Sequence, residues 1–191
     1  MANNVTAAKP KTGGAVAVAA AGTTLPTDAT TALAAAFTQL GYISDNGLTN
    51  SNSISSESVK AWGGDEVLVT YGGREDTFSF TLLEATNVDV LKQVFGSSNV
   101  SGTLAGGITI SAKSNLELPE QVWAIDMILK DNSVKRIVIP AGRVTDIGDV
   151  SYTDNDAVGY EITISASADA SGNTHYEYIK GATGATGATN G

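Results

Sequence analysis

Between residues 77 and 96 the apolar period changes from two to about 3.6, and nothing else in the chain restricts the fold as much. Phe78, Phe80 and Leu82 alternate with Thr77, Ser79 and Thr81, the pattern of a strand buried on one face. Val88, Leu91 and Phe95 then recur at helical spacing. Thr86 stands where an N-cap belongs, Asp89 suits the positive end of a helix, and Gly96 is placed to stop it. A strand running straight into a short amphipathic helix implies a sheet with a helix packed against it.

The remaining pattern is mostly strand. Val67, Val69 and Tyr71 alternate, and Gly72-Gly73 reads as a turn into the next strand. Ile108 and Ile110 suggest a short strand. Residues 121–129 and 134–139 read as a hairpin across Asp131-Asn132-Ser133, ending at Pro140. Val144, Ile147 and residues 150–152 suggest a further strand, and Tyr160, Ile162, Ile164 and Ala166 alternate cleanly with polar neighbours. Leu33, Phe37 and Leu40, after Pro26 and Asp28 and before Gly41, predict a short helix or apolar plug over residues 31–40. The 191 residues suffice for one domain with a real core. The expected fold is mainly β: sandwich-like, curved antiparallel sheets with one or two short flanking helices over residues 26–169. Strands in hairpin succession favour this over a parallel α/β sheet.

Three segments fall outside that pattern. Residues 1–25, rich in Ala, Gly and Thr, read as an extended N-terminal arm. The run Gly13 to Gly22 after Lys9 and Lys11 imitates a signal peptide, but it is short and lacks leucine, so the arm is the preferred reading. Residues 46–64 form a long polar loop whose apolar anchors are Ile54, Val59 and Trp62. A loop of that length inside a compact domain is functional or disordered, and a solvated Trp62 favours docking on a partner. Residues 170–191 read as a flexible tail with three Gly-Ala-Thr repeats, which lack the proline of a collagen helix.

Charge and chemistry narrow the function. A formal net charge of −9 opposes sequence-tolerant nucleic-acid binding, which needs cations to displace phosphate counterions. No apolar run reaches the length of a membrane span. There is no cysteine, so neither disulfides nor thiolate metal sites hold the fold. The single histidine, His175, lies near an end expected to fray, and no phosphate-cradling Gly-Lys-Ser/Thr loop exists. Asp154, Asp156 and Glu161 lack the spacing of a calcium loop and read better as turn residues. No catalytic residue, metal or cofactor is expected. Arg74, in Gly72-Gly73-Arg74-Glu75-Asp76, is placed to bridge a neighbour's carboxylate or to pair locally with Glu75 or Asp76.

Several stretches, in order along the chain, carry a family resemblance: residues 40–48 (Leu-Gly-Tyr-Ile-Ser-Asp-Asn-Gly-Leu), 60–65 (Lys-Ala-Trp-Gly-Gly-Asp), 74–84, 90–96, 136–144 and 160–164. Together they resemble the major tail proteins of long, non-contractile-tailed bacteriophages. The resemblance implies a tail tube protein of the virion, assembled in the host cytoplasm as hexameric rings that stack into a hollow tube. DNA would pass through its lumen without specific binding, and the tail terminator, tape measure and baseplate proteins would be further partners. It also implies that residues 46–64 reach a neighbouring subunit or ring. Asn46, Ile54, Val59, Trp62, Arg74 and Asp76 are the candidate inter-subunit contacts. The competing reading from the residues alone is a secreted carbohydrate-binding or adhesin-like β-sandwich.

Overall fold

The computed structural model describes residues 4–130 and 132–182. Among them are eleven strands and one α-helix: β1 (Ala8–Pro10), β2 (Val16–Ala20), β3 (Thr38–Gln39), β4 (Thr49–Lys60), β5 (Glu66–Leu82), α1 (Val88–Phe95), β6 (Val100–Thr103), β7 (Gly107–Ile110), β8 (Gln121–Leu129), β9 (Val134–Ile147), β10 (Tyr160–Ala166) and β11 (Tyr176–Lys180). Nine strands make one antiparallel sheet in the order β3-β2-β8-β9-β10-β5-β4, with β1 beside β8 and β11 beside β9. β6 and β7 form a separate hairpin. The expectation of a mainly β, curved antiparallel fold with a flanking helix is met.

The strand pairings show how the sheet closes. β9 pairs with β8 along one edge, while its other edge carries β11 at Val134–Val138 and β10 from Gly142 to Ile147. β8 is shared likewise, by β2 at residues 121–125 and β1 at residues 127–129. Three strand spacings separate β8 from β5, about 14 Å in a flat sheet. Yet the Trp123 ring on β8 meets Phe80 on β5 edge to face, with centroids 6.3 Å apart. The sheet therefore curls over its own inner face.

That face holds the core: Val16 and Val18, Phe78, Phe80 and Leu82, Trp123 and Ile125, Ile137 and Ile139, Ile162 and Ile164. Trp123 is fully buried, and its indole N–H donates to the Gly142 carbonyl at 3.2 Å, leaving no orphan donor. α1 covers part of the core with Val90, Leu91 and Val94, each worth about 2 kcal/mol of burial. Its N-cap is Asn87, one residue beyond the expected Thr86, with Asn87 Oδ1 accepting from the Asp89 N–H at 3.0 Å. Val88 and Phe95 of the expected stripe pack only at its margin. On the sheet's outer face Ala19, Val122 and Val138 form a second cluster under Leu25, Phe37, Tyr176 and Tyr178.

Several expectations are corrected. No helix forms over residues 31–40. Asp28 accepts from the Thr30 and Thr31 N–H groups, and the Asp28 and Thr31 carbonyls accept from Arg136 Nη1 at 3.0 and 2.8 Å. A buried arginine thus takes acceptors that a helix would use. Within the N-terminal arm, β2 is an interior strand whose residues Val16 to Ala19 are buried on both faces, as a Val/Ala run allows. Pro140 does not end its strand, because a register shift of β9 against β8 accommodates the missing donor. Residues 150–152 are not a strand. In the tail, β11 pairs with β9; residues 183–191, with most of the repeat, lie outside the described residues.

Candidate assembly site: the protruding hairpin

The expected loop of residues 46–64 is instead a strand and a tight turn. β4 pairs with β5 from Thr49↔Ser79 to Lys60↔Glu66, so Gly72-Gly73 is not a turn but part of one continuous 17-residue strand. Ser, Asn and Thr dominate β4, with no apolar alternation, because neither of its faces is covered.

β5 also pairs with β10, but only from Thr77 to Leu82. Among the described residues, 66–76 have β4 as their sole partner strand, and they leave the body as a two-stranded ribbon on the order of 30 Å long. All of β4, and β5 as far as Glu75, is exposed. The ribbon carries Ile54, Val59, Trp62, Val67, Leu68, Val69 and Tyr71 as exposed large apolar side chains, with Trp62 at 104% relative exposure.

These side chains divide by face. Ser58↔Val69, Ser56↔Tyr71 and Ile54↔Arg74 share the side that farther along carries Asp76 and the core residue Phe78. Beyond Asp76 this side therefore extends the core face outward with nothing among the described residues packed on it. Val59↔Leu68 lie opposite each other on the other side, and Trp62 is in the turn. An isolated two-stranded hairpin is marginal in water. One that leaves seven large apolar side chains wet is an incomplete structure, and covering it is what the arrangement can do.

Of the sequence-derived candidates, Ile54, Val59 and Trp62 come together on this ribbon. Asn46 is exposed in the turn before β4, toward the opposite end from the tip. Arg74 Nε donates to Asn52 across the strands, with neither Glu75 nor Asp76 as its partner. Asp76 is a correction. At 1% exposure it is an internal anchor, accepting from Asn50 Nδ2 at 2.7 Å and Thr174 Oγ1 at 2.6 Å, and meeting His175 Nδ1 at 2.5 Å. Burial acts to raise its pKa. The bonds from Thr174, Asn50 and His175, with the His175 charge, outweigh that and hold it below its ordinary value. His175 is correspondingly not frayed: it is mostly buried and stands edge-on to Phe78. Val67, Val69 and Tyr71 are not among the candidates because their alternation reads equally well as a half-buried strand, and Leu68 between them adds no signal of exposure. Among the described residues no cluster of metal-ligating side chains occurs.

Fold and site together describe a structural subunit with an unfinished apolar arm. The family of phage tail tube proteins matches residues 1–189, and the chain belongs to that family. It is a structural protein of the phage virion's tail. Among solved structures, a chain of the "Virion of native gene transfer agent (GTA) particle" is similar at TM-score 0.38 and 14% identity, covering 78% of this chain and 92% of that one. No curated protein matches by sequence. Among the described residues no helix is long and apolar enough to cross a membrane.

Proposed function

We propose that this subunit builds the tail tube by self-association into hexameric rings that stack, with the β4–β5 ribbon as the arm that docks on another copy. The observation that carries the reading is the ribbon itself, seven exposed apolar residues on two strands and their turn, with no third strand beside them among the described residues. Heterologous contacts of this kind propagate, as a tube requires. The subunit is a building element and not a catalyst. The tube conducts DNA during ejection, and the net charge of −9 keeps phosphate from adhering to its wall. Tail terminator, tape measure and baseplate proteins meet its ends. Trp62→Ala tests the reading: electron microscopy should show loss of tubes and rings, while circular dichroism and melting of the free subunit stay unchanged. Normal tubes from this variant, or collapse of the fold, would refute the arm's role.

A further inference from the structure

The pairing of the ribbon slips at two points, one of them near the tip at Val67, between Val59↔Leu68 and Lys60↔Glu66. Between Ser55↔Gly73 and Ser56↔Tyr71 the register slips by one residue, leaving Gly72 unpaired as a β-bulge. Gly73 has φ +124°, a backbone setting that L side chains rarely adopt, and a Cβ on Gly72 would lie 2.6 Å from Ser55 Oγ. On the body side of this point the root is clamped. Asp76 is tied to Asn50, Thr174 and His175, Asn52 Nδ2 donates to Asn50 Oδ1 at 2.8 Å, and Arg74 donates to Asn52. The chain of bonds ends at Arg74, next to the bulge. At the bulge itself Ser55 Oγ donates to the Gly73 carbonyl at 3.4 Å, and beyond it, among the described residues, the one side-chain bond within the ribbon runs from Thr70 Oγ1 to the Glu57 carbonyl. Val59, Trp62, Val67, Leu68, Val69 and Tyr71 all lie beyond it, with only Ile54 on the clamped side.

We propose that the Gly72–Gly73 bulge is a hinge, about which the outer ribbon turns as a unit to seat its apolar face on a second copy, while the Asp76–Thr174–His175 clamp holds the root still. The inference rests on the assembly reading for its purpose but not for its test. The C-terminal segment thereby has a part in arm placement, since Thr174 and His175 supply the body side of the clamp from 98 and 99 residues away.

The chain has no cysteine, so paired spin labels enter cleanly. Glu161→Cys on β10, opposite Thr81, serves as the body reference. Ala61→Cys reports the outer ribbon and Ser53→Cys, opposite Glu75, the clamped root. A swing of about 20° on a lever of about 20 Å, six strand residues from Ser55 to Ala61, sweeps about 7 Å. Pulsed dipolar spectroscopy on the free subunit should therefore give a 61–161 distance distribution broader than the 53–161 one by that order. Deleting Gly72, which removes this bulge and leaves the one at Val67 and every cross-strand pair in place, should narrow the former toward the width of the latter. His175→Ala should broaden the 53–161 distribution. Equal widths in the native sequence, or no narrowing on deletion, would overturn the hinge. Because these widths are read without assembly, tube loss in Trp62→Ala judges the assembly reading separately.

Discussion

Asp126→Ala should be among the most damaging single truncations in this fold, for reasons unrelated to hydrophobic volume. Arg136 is 1% exposed, and its Nε and Nη2 donate to the two Asp126 carboxylate oxygens at 2.6 and 2.9 Å. Nη1 reaches the Asp28 and Thr31 carbonyls, so one guanidinium staples residues 28–31 to the outer sheet face. Without the carboxylate a buried cation keeps only its two carbonyl partners. Removing one partner of such a pair costs about 3–5 kcal/mol. Lys11, half exposed at 3.2 Å from Asp126, marks the side where water can enter, which favours the lower end of that range. For a domain of this size a loss of about 3 kcal/mol lowers the melting temperature by about 6–12 °C. Urea unfolding of Asp126→Ala, Arg136→Met and the double variant Asp126→Leu/Arg136→Met measures the coupling. The double variant should recover at least half of the single-variant loss, since two apolar side chains leave no buried charge, while amide exchange at residues 28–31 accelerates. A single-variant loss under about 1 kcal/mol, or a double variant no better than Asp126→Ala, would show that the pair is not the staple.

Three further outcomes follow from the same geometry. Asp76, held below its ordinary 3.8, stabilises the ribbon root above that pH and loses this as pH falls through its own lower value; the stability gap between native protein and Asp76→Asn in urea titrations should therefore close only below about pH 4. Gly142→Ala places a Cβ 2.7 Å from Trp123 Cδ1 and 2.9 Å from Ile164 Cγ2, and should lower stability by about 1–3 kcal/mol with a changed tryptophan emission. Asn87→Ala removes the α1 cap and should cost about 1 kcal/mol in urea melts, leaving tube formation intact.

What the sequence discloses depends on where burial is one-sided. The inner half of β5, α1 and β10 were legible because each buries one face more than the other, which writes a period of two or 3.6 directly into the residues, whereas the β8–β9 hairpin, buried on both faces, was legible as two apolar runs around a polar turn. β2 was not, because a short strand buried on both faces is an unbroken Ala/Val run that also describes a disordered arm. β4 failed for the opposite reason, since both faces are wet and nothing selects alternation. Leu33, Phe37 and Leu40 had helical spacing, but the competitor for their backbone, Arg136, is about a hundred residues away and leaves no local trace. The Asp76–His175 contact spans 99 residues and is equally silent. Trp62 stands out in the sequence on cost alone, because a bare indole in water needs a reason, and in the structure it is exposed at the ribbon's turn.

The first and last described strands meet at the β8–β9 turn. Ala8 faces Leu129 and Lys180 faces Val134, and Asn4, Val5 and Ile179 line one shallow depression. A short splice across that seam, with the backbone reopened at the β6–β7 turn, would preserve every strand of the main sheet. The topology is in effect circular, so peptides appended before β1 or after β11 would emerge side by side and compete for the same space.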